Sequence, residues 1–194
     1  ILDLELSVIE RRHAVSDLVA EAIDDPAAAQ SCAEFLGELM GVPMPESPAL
    51  LAAHADPQLM ADRLRLSLLD FFEGLCAKGP VALLLEDLQW ADQASLAFVE
   101  DLLDRLADAP LLVFATARSE LLERRPGLFS GRNVARIEPR GLISSDVAAL
   151  ARWIAGRPLP EALTKALAER TAGHPLFVEQ IVLELKDHGR LEGE

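Results

Sequence analysis

At 194 residues, with 51% apolar residues and a formal net charge of −14, the chain has the length of one ordinary domain with an appendage and ample material for a packed core. An acidic surface repels a phosphate backbone, which argues against non-specific nucleic-acid binding. No apolar run exceeds strand length, as in Val81–Leu85, so no membrane span is expected and the chain reads as soluble and cytoplasmic.

Aromatic residues make up only 5% and Tyr is absent, so Leu- and Ala-rich helix packing is expected. Residues 1–117 hold 21 acids and 6 bases, whereas residues 118–194 hold 11 acids and 12 bases. Six of those bases are Arg within Arg118–Arg140, enough to face a phosphate ligand or to line a solvated face. Cys32 and Cys76 have no His or Cys at ligand spacing and read as buried thiols of a reducing compartment. Ile1 follows no signal-like opening, so an internal start within a longer protein is expected.

In chain order, Leu4–Ile23 reads as a helix with Val8, Val15, Leu18, Val19 and Ile23 along one stripe. Asp24-Asp25-Pro26 breaks it and opens a second helix that ends at Met40-Gly41. Pro43, Pro45 and Pro48 predict a surface connection. A helix returns near Pro57, with Leu64, Leu68, Phe71, Phe72 and Leu75 inward, until Lys78-Gly79-Pro80 stops it. Val81–Leu85 is apolar at every position and predicts a strand buried on both faces.

A helix capped by Asp92 or Ser95 follows, with Leu96, Val99, Leu102, Leu103 and Leu106 inside. Leu111–Ala115 is a second continuous apolar strand, so strand, helix and strand form a βαβ unit of an α/β fold. After a loop rich in Gly and Arg, Asn133–Ile137 predicts a third strand. Three helices close the chain: one from Ser144 or Ser145 to Ala155, one opened by Pro160, and one opened by Pro175 with Phe177, Ile181 and Leu185 inside. A polar tail follows from Arg190. The expected division is a core over residues 1–141, helical to 78 and carrying the strands over 79–141, then a helical segment over 142–194.

The most informative stretch is VALLLEDLQWAD, where a buried strand delivers Glu86 and Asp87 at its carboxyl end. Ligands of open α/β sheets bind just beyond such ends. Adjacent carboxylates repel, and a metal ion or positioned water offsets that; a strand end emerging into water is the plainer alternative. Trp90 is expected to anchor the turn and Asp92 to cap the next helix.

LLLEDLQWAD resembles the Walker B segment of STAND-class, AAA-like signalling ATPases of bacterial regulators. LLVFATARSE is similar to the next core strand with its sensor residues, VARIEPRGL to the following strand, and AGHPLFVEQIV to the G-x-P element of a lid helix. The four segments lie in order within Gly79–Leu191. The resemblance implies a partial P-loop-NTPase-like parallel sheet flanked by helices, with a helical lid. It implies ATP and Mg2+ as cofactors, Glu86 and Asp87 as catalytic and metal-holding acids, and Thr116, Arg118 and Pro175 as nucleotide-binding residues. Arg118 would sense the terminal phosphate, for which a planar guanidinium suits the oxygens; its plain alternative is an ion pair with Glu120 or Glu123. Pro175 would sit against adenine, or simply start a helix.

A phosphate-binding loop G-x-x-x-x-G-K-[ST] is not present in the sequence, whose three Lys are Lys78, Lys165 and Lys186. Loss by truncation is the expected reason. The stretch is therefore expected to be inactive alone and to act as a nucleotide-dependent switch within a larger protein, whose other domains are its partners. An exposed sheet edge would invite association between copies. The competing readings are a non-catalytic interaction scaffold with a degenerate nucleotide site, and an all-helical adaptor in which the strands are buried helix segments.

Overall fold

The computed structural model describes residues 7–190, which divide into two compact units, one up to Val134 and one from Ala135.

The first unit opens with four helices: α1 (Val8–Ala22), α2 (Pro26–Leu39), α3 (Pro48–Ala55) and α4 (Pro57–Lys78). Three start on the same device, a short polar cap followed by Pro at the first helical position. Asp25 accepts from the Ala28 amide at 2.8 Å, Ser47 from Leu50 at 3.1 Å and Asp56 from Gln58 at 3.0 Å. The cap satisfies an orphan donor, and Pro lacks the one that would be wasted. α1 instead uses a capping box: the Ser7 hydroxyl accepts from the Glu10 amide, and the Ser7 amide donates to the Glu10 carboxylate. Ser7 is extended, so this helix starts at Val8, four residues after the expected start; Leu4–Leu6 lie outside the described residues.

Val15, Val19, Cys32, Ala33, Leu36 and Val42 form the core between α1 and α2, with full burial of each large side chain contributing about 1.5–3 kcal/mol. Val8 and Leu18 of the expected stripe are exposed. The proline-rich connection is less superficial than its composition predicts, because Val42 and Met44 turn inward and Pro48 opens α3. On α4 the expected inward residues are half-buried, and the buried ones are Ser67, Leu69 and Cys76. α4 is gripped from two sides: α1, α2 and α3 take one, while Leu69 and Cys76 pack with Leu102, Leu106, Val81, Leu83 and Leu111 on the other.

β1 (Val81–Leu85) and β2 (Leu111–Ala115) pair in parallel, Val81 opposite Leu111 and Leu85 opposite Ala115, joined through α5 (Gln93–Arg105). A parallel pair overturns the all-helical reading. The expectation of burial on both faces also fails. Val81, Leu83 and Leu85 are half-buried, but Leu84 is 66%, Leu112 63% and Phe114 52% exposed. Side chains alternate across a sheet, and in this unit helices cover one face only. A short helix, α6 (Glu120–Arg124), interrupts what composition alone predicts as loop.

The second unit contains α7 (Ser144–Ala155), α8 (Glu161–Thr171) and α9 (Pro175–Asp187). Their core is Val147, Ala151, Ile154, Leu167, Val178 and Val182. Phe177 is exposed rather than buried, its ring 4.5 Å from that of His174. The expected third strand over 133–137 is not formed: those residues are irregular, with Val134 and Ile137 exposed and, among the described residues, no strand beside them to take up their backbone hydrogen bonds. No helix among the described residues is long and apolar enough to cross a membrane.

Candidate nucleotide and metal site

In a parallel pair both carboxyl ends point the same way, so the registry of Leu85 with Ala115 brings residues 86–87 beside residues 116–118. Beyond Leu85 the chain reverses sharply. Asp87 adopts the left-handed conformation (φ 55°, ψ 43°), which Asp and Asn tolerate better than most residues. A 3-10 turn over Leu88–Trp90 follows, closed by the Trp90 amide on the Asp87 carbonyl at 2.9 Å. Leu88 is the anchor, buried with Leu96 and Leu121. Trp90, expected to fill that role, is instead 76% exposed. Asp92 caps α5 by accepting from the Ser95 amide at 2.7 Å, and those backbone bonds hold its carboxyl below the usual range.

Four hydrogen bonds lace the two strand ends together. The Thr116 amide donates to the Leu85 carbonyl at 2.9 Å, and the Leu88 amide to the Thr116 carbonyl at 2.8 Å. The Asp87 amide donates to the Thr116 hydroxyl at 3.1 Å. The Arg118 amide donates to the Gln89 side-chain oxygen at 3.1 Å, and the Gln89 amide group donates in turn to the Asp87 carboxylate at 2.9 Å. Thr116 thus uses its hydroxyl within the scaffold as an acceptor and keeps its own proton to donate.

Four sequence-identified residues, Glu86, Asp87, Thr116 and Arg118, lie at this one end of the sheet, all exposed. Because both carboxylates reach water, no desolvation cost demands a cation. Among the described residues no three His, Cys, Asp or Glu side chains gather as a metal cage. That donor set still suits Mg2+, which keeps several waters and commonly takes one or two carboxylates together with substrate phosphates. Without those phosphates the exposed carboxylates can hold the ion only weakly.

Among the described residues the Arg118 guanidinium forms no ion pair, with Glu120 and Glu123 included. Other members of the arginine-rich stretch are engaged. Arg132 binds Glu100 at 3.1 Å and Asp104 at 2.6 Å, Arg136 pairs with Glu138 at 2.5 Å, and Arg125 donates to Gln93. Pro175 belongs to the other unit, where it stands at the first position of α9 behind Gly173 and His174. Gly173 has φ +73°, and a Cβ there would meet the Leu142 carbonyl oxygen at 2.1 Å.

The residue that the sequence reading passes over is Gln89. Its signal was its position two residues after Asp87, within reach of that carboxylate once the chain turns. Cys32 and Cys76 are free and buried, away from these residues.

The AAA ATPase domain family matches residues 5–114, more than half of the chain. An uncharacterised protein of Rhizobium meliloti (strain 1021) is 28% identical over 135 residues, which are 68% of this chain and 13% of that protein. The chain thus spans about an eighth of the length of this relative. No solved structure matches the chain.

Proposed function

Because the chain belongs to the AAA ATPase domain family, we propose that it supplies the metal and sensor side of an ATP site in a larger regulatory protein. The observation that supports this most is the convergence of Glu86, Asp87, Thr116 and Arg118 at the carboxyl end of a parallel strand pair, where α/β folds place their ligands. In this reading LLLEDLQWAD is a STAND-class Walker B segment. One of Glu86 and Asp87 helps hold Mg2+ and the other orients the attacking water. Thr116 donates its hydroxyl proton to water or phosphate, and the uncommitted Arg118 guanidinium takes the terminal phosphate.

The phosphate-gripping loop is not among these 194 residues, so the stretch alone does not turn ATP over. In the larger protein, nucleotide occupancy would bias the α7–α9 unit, with Pro175 against adenine, and so pass a signal to attached domains. The open apolar face of Leu84, Leu112 and Phe114 supports the need for further covering structure, from the same protein or from a second copy.

The test is ATP turnover by a longer protein that joins this stretch to a phosphate-binding loop. Glu86→Gln, Asp87→Asn and Arg118→Ala should each lower kcat by about 100-fold with the fold intact. Unchanged turnover in all three would favour the non-catalytic scaffold.

A further inference from the structure

We infer that Gln89 is a positioning residue that couples the Asp87 carboxylate to the backbone of Arg118. The inference rests on the metal reading of Asp87 proposed above and adds a route from that acid to the sensor strand. Gln89 sits in the middle of the 3-10 turn, and its primary amide spans the gap between the strand ends. One end donates to the Asp87 carboxylate at 2.9 Å, and the other accepts from the Arg118 amide at 3.1 Å. The two partners dictate one orientation of the side chain, because a flipped amide would set oxygen against carboxylate and N–H against N–H. Only a group with a donor and an acceptor at its tip satisfies both, which a carboxylate or an alkyl chain does not.

A cation that draws the Asp87 carboxylate away from the amide weakens one end of this bridge. The amide then shifts, and its oxygen moves against the N–H at the root of the Arg118 side chain. Metal occupancy is in this way reported at the residue proposed to face the terminal phosphate. A second connection runs from the Asp87 amide to the Thr116 hydroxyl, but it bypasses the carboxylate that would hold the ion.

The experiment is a Mg2+ titration of this chain followed by backbone and side-chain amide NMR, at constant ionic strength set with sodium chloride. In the native sequence the Asp87, Gln89 side-chain and Arg118 amide signals should move together along one binding curve. In Gln89→Ala the Asp87 signal should still move, while the displacement at Arg118 falls about fivefold. Gln89→Leu keeps the bulk but loses both the acceptor for Arg118 and the donor to Asp87, and should uncouple the two in the same way. Thermal unfolding of both variants checks that they fold, and the two substitutions guard against one of them failing. An Arg118 response that survives in both variants places the route through Thr116 and overturns the inference. Movement at Asp87 without movement at Arg118 in the native sequence overturns it too, while leaving the metal reading intact. An Asp87 signal that ignores Mg2+ throughout overturns the metal reading and the coupling together.

Discussion

The backbone amide of Asp87 donates to the hydroxyl of Thr116 at 3.1 Å, tying an acid just beyond one strand to the residue just beyond its neighbour. To do so Asp87 takes a left-handed conformation that few side chains accept. Asp87→Asn retains a residue suited to that conformation and should melt close to the native chain. Asp87→Ala should cost about 1 kcal/mol, since Ala in the left-handed region has no local hydrogen bond to offset its strain. Circular-dichroism melts of the pair decide this, and equal midpoints would remove strain from the account.

Gly173 and Gly156 separate conformational strain from collision. Both have positive φ, 73° and 76°, but only Gly173 faces backbone, with the Leu142 carbonyl oxygen 2.1 Å from a built Cβ. The Leu142 amide also donates to the Gly173 carbonyl at 2.8 Å, so neither segment can retreat freely. Gly156→Ala should cost about 1 kcal/mol and Gly173→Ala more than about 2 kcal/mol. Hydrogen exchange at Val147, Val178 and Val182, which lie at the centre of that unit, reads both.

The thiol of Cys32 is buried between α2 and α4, where its sulfur lies 3.3 Å from the Ser67 carbonyl oxygen. Burial, followed by the negative charge of Asp70, pushes its pKa up from 9.0 to about 11. Burial pushes Cys76 in the same direction. A raised thiol pKa means the folded state keeps its proton after the unfolded chain has lost it. The associated stability is fully present below about pH 9 and is lost as the pH rises towards 11. Denaturant midpoints should therefore fall between pH 9 and 11, and Cys32→Ala should flatten that slope. Disulfide-exchange reagents at neutral pH should label neither cysteine before unfolding.

Leu84, Leu112 and Phe114 present one apolar strip on the uncovered face of the strand pair. The chain in isolation should associate as its concentration rises, and Leu112→Lys should suppress this without lowering the melting temperature. Light scattering that shows a monomer at every concentration would contradict this.

Much of this fold was legible because strands and helices here carry undiluted signals. Val81–Leu85 and Leu111–Ala115 each follow a Pro and are apolar throughout, and both strands run over those residues. Asp25-Pro26 and Asp56-Pro57 mark helix starts by chemistry rather than by pattern. The misses share a physical cause. An unbroken apolar run does not say how many faces are covered, so it does not reveal that Leu84 lies on the open face of the strand pair. A third strand over 133–137 needs a partner that periodicity cannot supply. Size favours Trp90 as the anchor of the turn, whereas Leu88 points inward and takes that place. At the site, the acids, Thr116 and Arg118 follow from motif order, but Gln89 is visible only once the left-handed turn at Asp87 folds it back.

The proposed function gives this stretch the metal and sensor residues of an ATP site without the grip on the phosphates. Isothermal titration of the chain with Mg-ATP measures it directly. A Kd weaker than about 1 mM, less than about 4 kcal/mol of binding free energy, and no phosphate release are expected. Saturable binding with a Kd of about 1 μM would contradict it, because these residues alone would then suffice to hold the nucleotide.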